Sequence, residues 1–135
     1  MDWIQTLENR IYTIIKTRLS KKLSSTYPDL YFTQDSTLIK DDKFPTISFD
    51  FSGNETATTT EQGIRGYISK IEIRVYVNKT QGKTVCDSIA SLVRDNLTIL
   101  GYRNISTSGF AGVNTSTGYK TITASRRVGD DDVIQ

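Results

Sequence analysis

Histidine is missing from this chain altogether, cysteine occurs once and proline twice. Each shortage closes a class of function. Without histidine the chain lacks the usual base at neutral pH and the commonest metal ligand. Ser-His and Cys-His catalysis are therefore excluded, and an ordinary zinc site nearly so. A single thiol, Cys86, allows no internal disulfide, and its place on the inner face of an expected helix makes it a small core residue. No apolar run approaches the length of a membrane span, and no segment reads as a secretion signal, so the expectation is maturation in a cytoplasm. On that expectation the Asn-X-Ser/Thr sequons beginning at Asn54, Asn78, Asn96, Asn104 and Asn114 are by-products of a Ser/Thr-rich composition. A net charge of +2 is too small to argue for a polyanionic partner.

What remains is a chain of 135 residues, the size of one domain over 1–135. Such a domain buries roughly two-thirds of its unfolded surface, enough for a core without staples. The hydrophobic share of 36% is modest for that core. The abundant Ser and Thr suit edges, loops and surfaces that meet partners.

The clearest pattern lies at 67–77, where Tyr67, Ile71, Ile73, Val75 and Val77 alternate with Lys70, Glu72 and Arg74. A period of two predicts a half-buried strand, and β-branched residues on the packing side suit it. Residues 46–52 repeat the alternation with Ile47, Phe49 and Phe51, so the two strands should pair antiparallel. Between them lies 53–63, bracketed by glycines and longer than a hairpin needs. It reads either as a loose loop or as a protruding arm that orders on a neighbouring subunit.

Two amphipathic helices flank these strands. The first, over 3–25, carries Ile4, Leu7, Ile11, Ile14, Ile15, Leu19 and Leu23 on one stripe, with Asp2 as its cap and Gln5 three residues on. Arg10, Lys16, Arg18, Lys21 and Lys22 lie off that stripe and towards its end. Cations there suit the helix dipole, and the same face could instead meet a partner or nucleic acid. Tyr27-Pro28 ends this helix. The second helix, over 82–100, has Val85, Cys86, Ile89, Leu92, Val93, Leu97 and Leu100 inward, with Gly101 as its C′ residue. Asp87 and Asp95 are too far apart for paired-carboxylate chemistry and read as solvated charges.

Weaker strand signals fall at 30–32 and 37–39, and further strands at 102–110 and 119–128. Gly82-Lys83-Thr84 mimics the end of a phosphate-binding loop, but the first glycine of that motif would fall on Val77. It is read as the start of the second helix. The Asp130-Asp131-Asp132 run is read as an acidic tail or a partner for a neighbour's basic surface, since adjacent carboxylates point apart and repel. No residue set supports catalysis, a cofactor or a metal, and the expectation is that the chain is not an enzyme.

These elements predict an α+β layer: an antiparallel or mixed sheet with two amphipathic helices packed on one face, in the order α-β-β-β-α-β-β. With that order in place, the chain resembles the tail-terminator (tail-completion) proteins of long-tailed bacteriophages over nearly its whole length. The resemblance rests on the first helix ending at Tyr27-Pro28, the Phe44-Pro45-Thr-Ile-Ser-Phe-Asp-Phe51 strand and the loose loop leading into Ile71-Glu-Ile-Arg-Val-Tyr-Val77. The 85–100 helix, Gly101-Tyr102 and a late Thr/Arg-rich strand complete it.

The resemblance implies a virion protein, assembled in the host cytoplasm, that caps the tail tube as a homo-oligomeric ring, commonly a hexamer. Its partners would be the tail-tube protein and a head-completion or connector protein at the neck. DNA would pass through the ring without being read, and no membrane is involved. Minor capsid or head-closure components, and a nucleic-acid-binding module built on the first helix, are the alternatives. The expected subunit or partner interface uses Asn54, Glu55, Glu61 and Arg65 from the arm region. From the end of the chain it uses Arg126, Arg127, Asp130, Asp131 and Asp132, basic and acidic groups that would set register between copies. Deleting 54–62 is expected to leave the monomer folded and weaken assembly.

Overall fold

Alternation at 67–77 does what it predicts. In the computed structural model, which describes residues 3–34, 43–52, 54–56, 66–112 and 117–129, Ile71, Ile73, Val75 and Val77 are all buried. They lie on one face of a central strand. In chain order the elements are α1 (Trp3–Leu23), β1 (Tyr31–Thr33), β2 (Thr46–Phe51), β3 (Asn54–Thr56), β4 (Gly66–Asn78), α2 (Gly82–Ile99), β5 (Arg103–Thr107), β6 (Ala111–Gly112) and β7 (Thr117–Gly129). The α+β class and the two helices stand as expected, and the strand inventory is longer.

The described strands form one mixed sheet ordered β1-β2-β4-β7-β5, with β3 on β4 and β6 on β7. β2 pairs antiparallel with β4, Phe49 opposite Ile73, as the matched alternation required. β4 and β7 pair along their whole length, from Gly66↔Gly129 to Asn78↔Thr117. β1 runs parallel to β2, which makes the sheet mixed, within the expected antiparallel or mixed class. The candidate strand at 37–39 lies outside the described residues. Residues 54–56, read earlier as part of a loop or arm, form a strand paired with 66–68.

Both helices bury their stripes on the odd-numbered face of β4. Leu7, Ile11, Ile15, Leu19 and Leu23 of α1 and Cys86, Ile89, Val93 and Leu97 of α2 share one cluster with Ile47, Phe49, Ile71, Ile73 and Ile122. α1 sits toward β1 and β2: Tyr12 meets Phe49 edge-on at 4.9 Å, and Lys16 Nζ lies 6.0 Å from the Phe32 ring centre. α2 sits toward β4, β7 and β5. Its Cys86 Sγ donates to the Val75 carbonyl at 3.3 Å, and Arg94 Nη1 donates to Thr107 Oγ1 at 2.6 Å. Burial pushes the Cys86 thiol up to about 11, so it stays protonated at neutral pH.

α1 stops at Leu23, ahead of the expected end, and the chain leaves it through Tyr27 N–H to Leu23 O at 2.8 Å. α2 ends as its sequence predicts. Gly101 takes φ 84°, Tyr102 N–H reaches Leu97 O at 3.0 Å and Gly101 N–H reaches Thr98 O at 3.0 Å. This pair of bonds satisfies terminal carbonyls and needs a left-handed residue at Gly101. The turn before α2 closes on itself, with Asn78 and Gln81 exchanging side-chain-to-backbone bonds, and Gln81 Nε2 also donates to Phe44 O at 3.1 Å.

Asp87 corrects the reading of a free solvated charge. Its carboxylate bridges Lys83 at 3.1 Å and Lys120 at 2.6 Å; Lys120 stands opposite Val75, on the helix side of β7. Those two lysines hold the Asp87 carboxyl below the usual range, Lys120 contributing most.

Candidate interaction surface

The helices cover one face of the sheet, and the even-numbered residues of β4 lie on the other. On it the register lines residues up in rows. Thr46, Tyr76 and Tyr119 make one, Ser48, Arg74 and Thr121 the next, and Asp50, Glu72 and Thr123 a third. Tyr76 and Tyr119 pack 5.3 Å apart between ring centres, and the Arg74 guanidinium lies 5.4 Å from the Tyr119 centre. Tyr76, like Thr46 and Ser48, is buried although it belongs to the face away from the helices.

Asp50 and Glu72 are directly opposite each other on antiparallel strands, an arrangement that like charges disfavour. Arg74 Nε lies 3.7 Å from Glu72 and offsets part of this repulsion. A shallow groove of about 320 Å³ follows the row, with Ser52, Lys70, Thr123 and Ser125 among its walls. Among the described residues no three His, Cys, Asp or Glu side chains cluster as metal ligands, and no helix is long and apolar enough to cross a membrane.

The second surface is a ribbon. Beyond Lys70 the sheet, among the described residues, narrows to β3, β4 and β7, with Asn54↔Ile68, Glu55↔Tyr67 and Tyr67↔Val128 in register. Where the ribbon meets the body, Ser69 and Tyr102 form a buried hydrogen bond of 2.8 Å between hydroxyls. Burial raises the Tyr102 phenol, and the Ser69 bond opposes that rise. Arg126 Nη1 donates to Leu100 O at 2.7 Å, so the β7 strand is tied to the end of α2.

The expected interface residues fall into three groups. The backbones of Asn54 and Glu55 lie in β3 and that of Arg127 in β7, so all three belong to the ribbon. Arg126 is there too, half-buried and bound internally, which gives it a structural duty beside any contact with a partner. Glu61, Arg65, Asp130, Asp131 and Asp132 lie outside the described residues. The ribbon thus gathers residues from both stretches that the sequence singled out. Arg103, Asn104, Asp50 and Glu72 were not foreseen as surface residues of interest. The last two were within reach: antiparallel pairing of 46–52 with 67–77 already sets their shared face.

No model of a known protein family matches the chain, and no curated protein matches its sequence. The fold defines a class, a two-helix α+β layer, and the assignment of a role rests on the chain itself.

Proposed function

We propose that this chain is a structural virion protein that caps a phage tail tube as a ring and presents the surface joining the head. The observation that carries the reading is the ribbon of β3, β4 and β7. It continues the core sheet without a break, so an arm for gripping a neighbour is held rigidly by the body. β-edges and loops on a well-packed layer are what a self-assembling subunit needs. The sequence resemblance to tail terminators supplies the tube as the surface to be capped. The reading assigns the chain no catalytic step and no cofactor.

The test is assembly. Purified protein, alone or mixed with tail-tube protein, is expected to form rings by light scattering and electron microscopy. Monomer under every such condition would overturn the reading. Particles lacking the protein should carry overlong tubes. Headless tails of normal length, with binding to portal or adaptor proteins only, would move it to head closure. Deleting 57–62, which spares β3, is expected to weaken assembly and leave the monomer folded.

A further inference from the structure

β7 outruns the strand beside it. β5 pairs with it at Arg103↔Ser125, Ser106↔Thr123 and Thr107↔Ile122. From Arg126 to Gly129 the partner among the described residues is β4 alone, so no described strand lies on the other edge of β7 there. The departure of β5 is built in. It carries an irregularity between Arg103 and Ser106, with Asn104 at φ 53°. Left-handed geometry at a non-glycine residue and a bulge together bend a strand and end its pairing. Ahead of Arg103 the Gly101 turn carries the chain back to α2, so the line of β5 stops short.

The result is a notch of about 470 Å³ at the free edge, lined by Ile68, Gly101, Arg103, Asn104, Ser125 and Arg126. Its charge is positive. Arg103 is exposed, and Arg126 is half-buried with one guanidinium nitrogen fixed on Leu100 O and further N–H donors beyond that bond. An unpaired strand edge offers main-chain donors and acceptors to an extended peptide, and flanking side chains choose which peptide.

We propose that residues 130–135 of a second copy of this chain lie along this edge as an added strand, with the Asp130–Asp132 run against Arg103 and Arg126. The inference rests on the assembly reading above and names the contact between neighbours. Charge selects the occupant: Asp-Asp-Asp followed by Val-Ile is acidic at one end and strand-forming at the other. Geometry selects another copy over the chain's own tail. A tight hairpin after Gly129 would set its aspartates beside Gly129 and bring Gln135 opposite Arg126, about 10 Å away along the strand. Donor segment and acceptor edge are different surfaces, so the contact runs head to tail, the type that closes rings.

Two full-length charge reversals test it: Arg103→Glu at the edge, and D130K/D131K/D132K in the segment. Each alone is expected to weaken self-association by roughly tenfold or more in sedimentation at moderate salt, with a native circular dichroism spectrum. An equimolar mixture of the two should restore association, since the reversed edge of one variant attracts the reversed segment of the other, and the unaltered edge and segment still attract each other. Arg103→Gln, which removes the charge without reversing it, should give a smaller loss in the same direction. Wild-type association by both variants would overturn this contact and leave the ring reading standing. Weakened variants that mixing fails to restore would also overturn it, placing the segment on its own chain. A wild-type protein that stays monomeric with and without tube protein would overturn both.

Discussion

Lys120 on β7 and Asp87 on α2 are joined by an ion pair of 2.6 Å, and the lysine side chain is only 17% exposed. The pair fastens the helix to the strand that builds the arm. Lys83, 65% exposed, shares the same carboxylate from the preceding helical turn.

Unequal exposure predicts unequal effects. Lys120→Ala should lower the thermal midpoint more than Lys83→Ala, because exposed pairs contribute little. Lys120 and Lys83 depress the folded Asp87 carboxyl, so its contribution is complete above the unfolded value of about 3.9 and is lost as the pH falls through the lower folded value. Acid titration of stability, compared with Asp87→Asn, checks this: the difference between the two proteins should shrink below about pH 4.

Ser69 is fully buried, and its hydroxyl partner is Tyr102. Tyr102→Phe leaves that serine unpaired and should cost about 1–2 kcal/mol by chemical denaturation. Ser69→Ala should cost a similar amount. The double variant should cost less than the sum, because removing both partners removes the unpaired group.

Gly118 lies under the Phe110 ring, where an added Cβ would collide with it. Gly118→Ala should destabilise by about 1 kcal/mol as the ring is displaced. With Phe110→Ala already in place the sign should reverse, since alanine suits a strand better than glycine by about 0.5 kcal/mol. A four-protein thermal unfolding cycle reads the coupling directly.

Cys86 should resist thiol reagents until the protein unfolds, because it is fully buried. Its ionisation is pushed up to about 11 in the fold, against about 8.5 in an unfolded chain. The unfolded state therefore loses the proton first, and stability falls as pH rises from about 8.5 through that folded value. Cys86→Ala should show a shallower decline. Burial also raises Tyr12 and Tyr102, and these act alike in both proteins.

Legibility from sequence tracked how strongly side chains imposed a period. β2, β4 and both helical stripes were readable because buried Ile, Val, Leu and Phe recur at fixed spacing. Gly101 was readable because only a left-handed residue closes the helix there. β3 was hidden: Asn54-Glu55-Thr56 carries no apolar period, and its place comes from main-chain pairing with β4. The parallel run of β1 was hidden as well, since three residues, Tyr31-Phe32-Thr33, cannot encode direction. In the ribbon, Asn54, Glu55, Arg126 and Arg127 were singled out as polar and charged groups of the arm region and the chain end. Arg103 was not, because its place at the edge of β7 comes from where β5 stops, and an irregularity at Asn104 leaves no periodic trace.

β4 and β7 run side by side through 13 residues each, from beneath the helices to the tip. At about 3.3 Å per residue that is a ladder some 43 Å long. A load applied to the tip along the strands would be shared by every rung together, in shear, rather than peeling them one by one. Pulled along its strands, this protein would therefore resist with all of those hydrogen bonds at once.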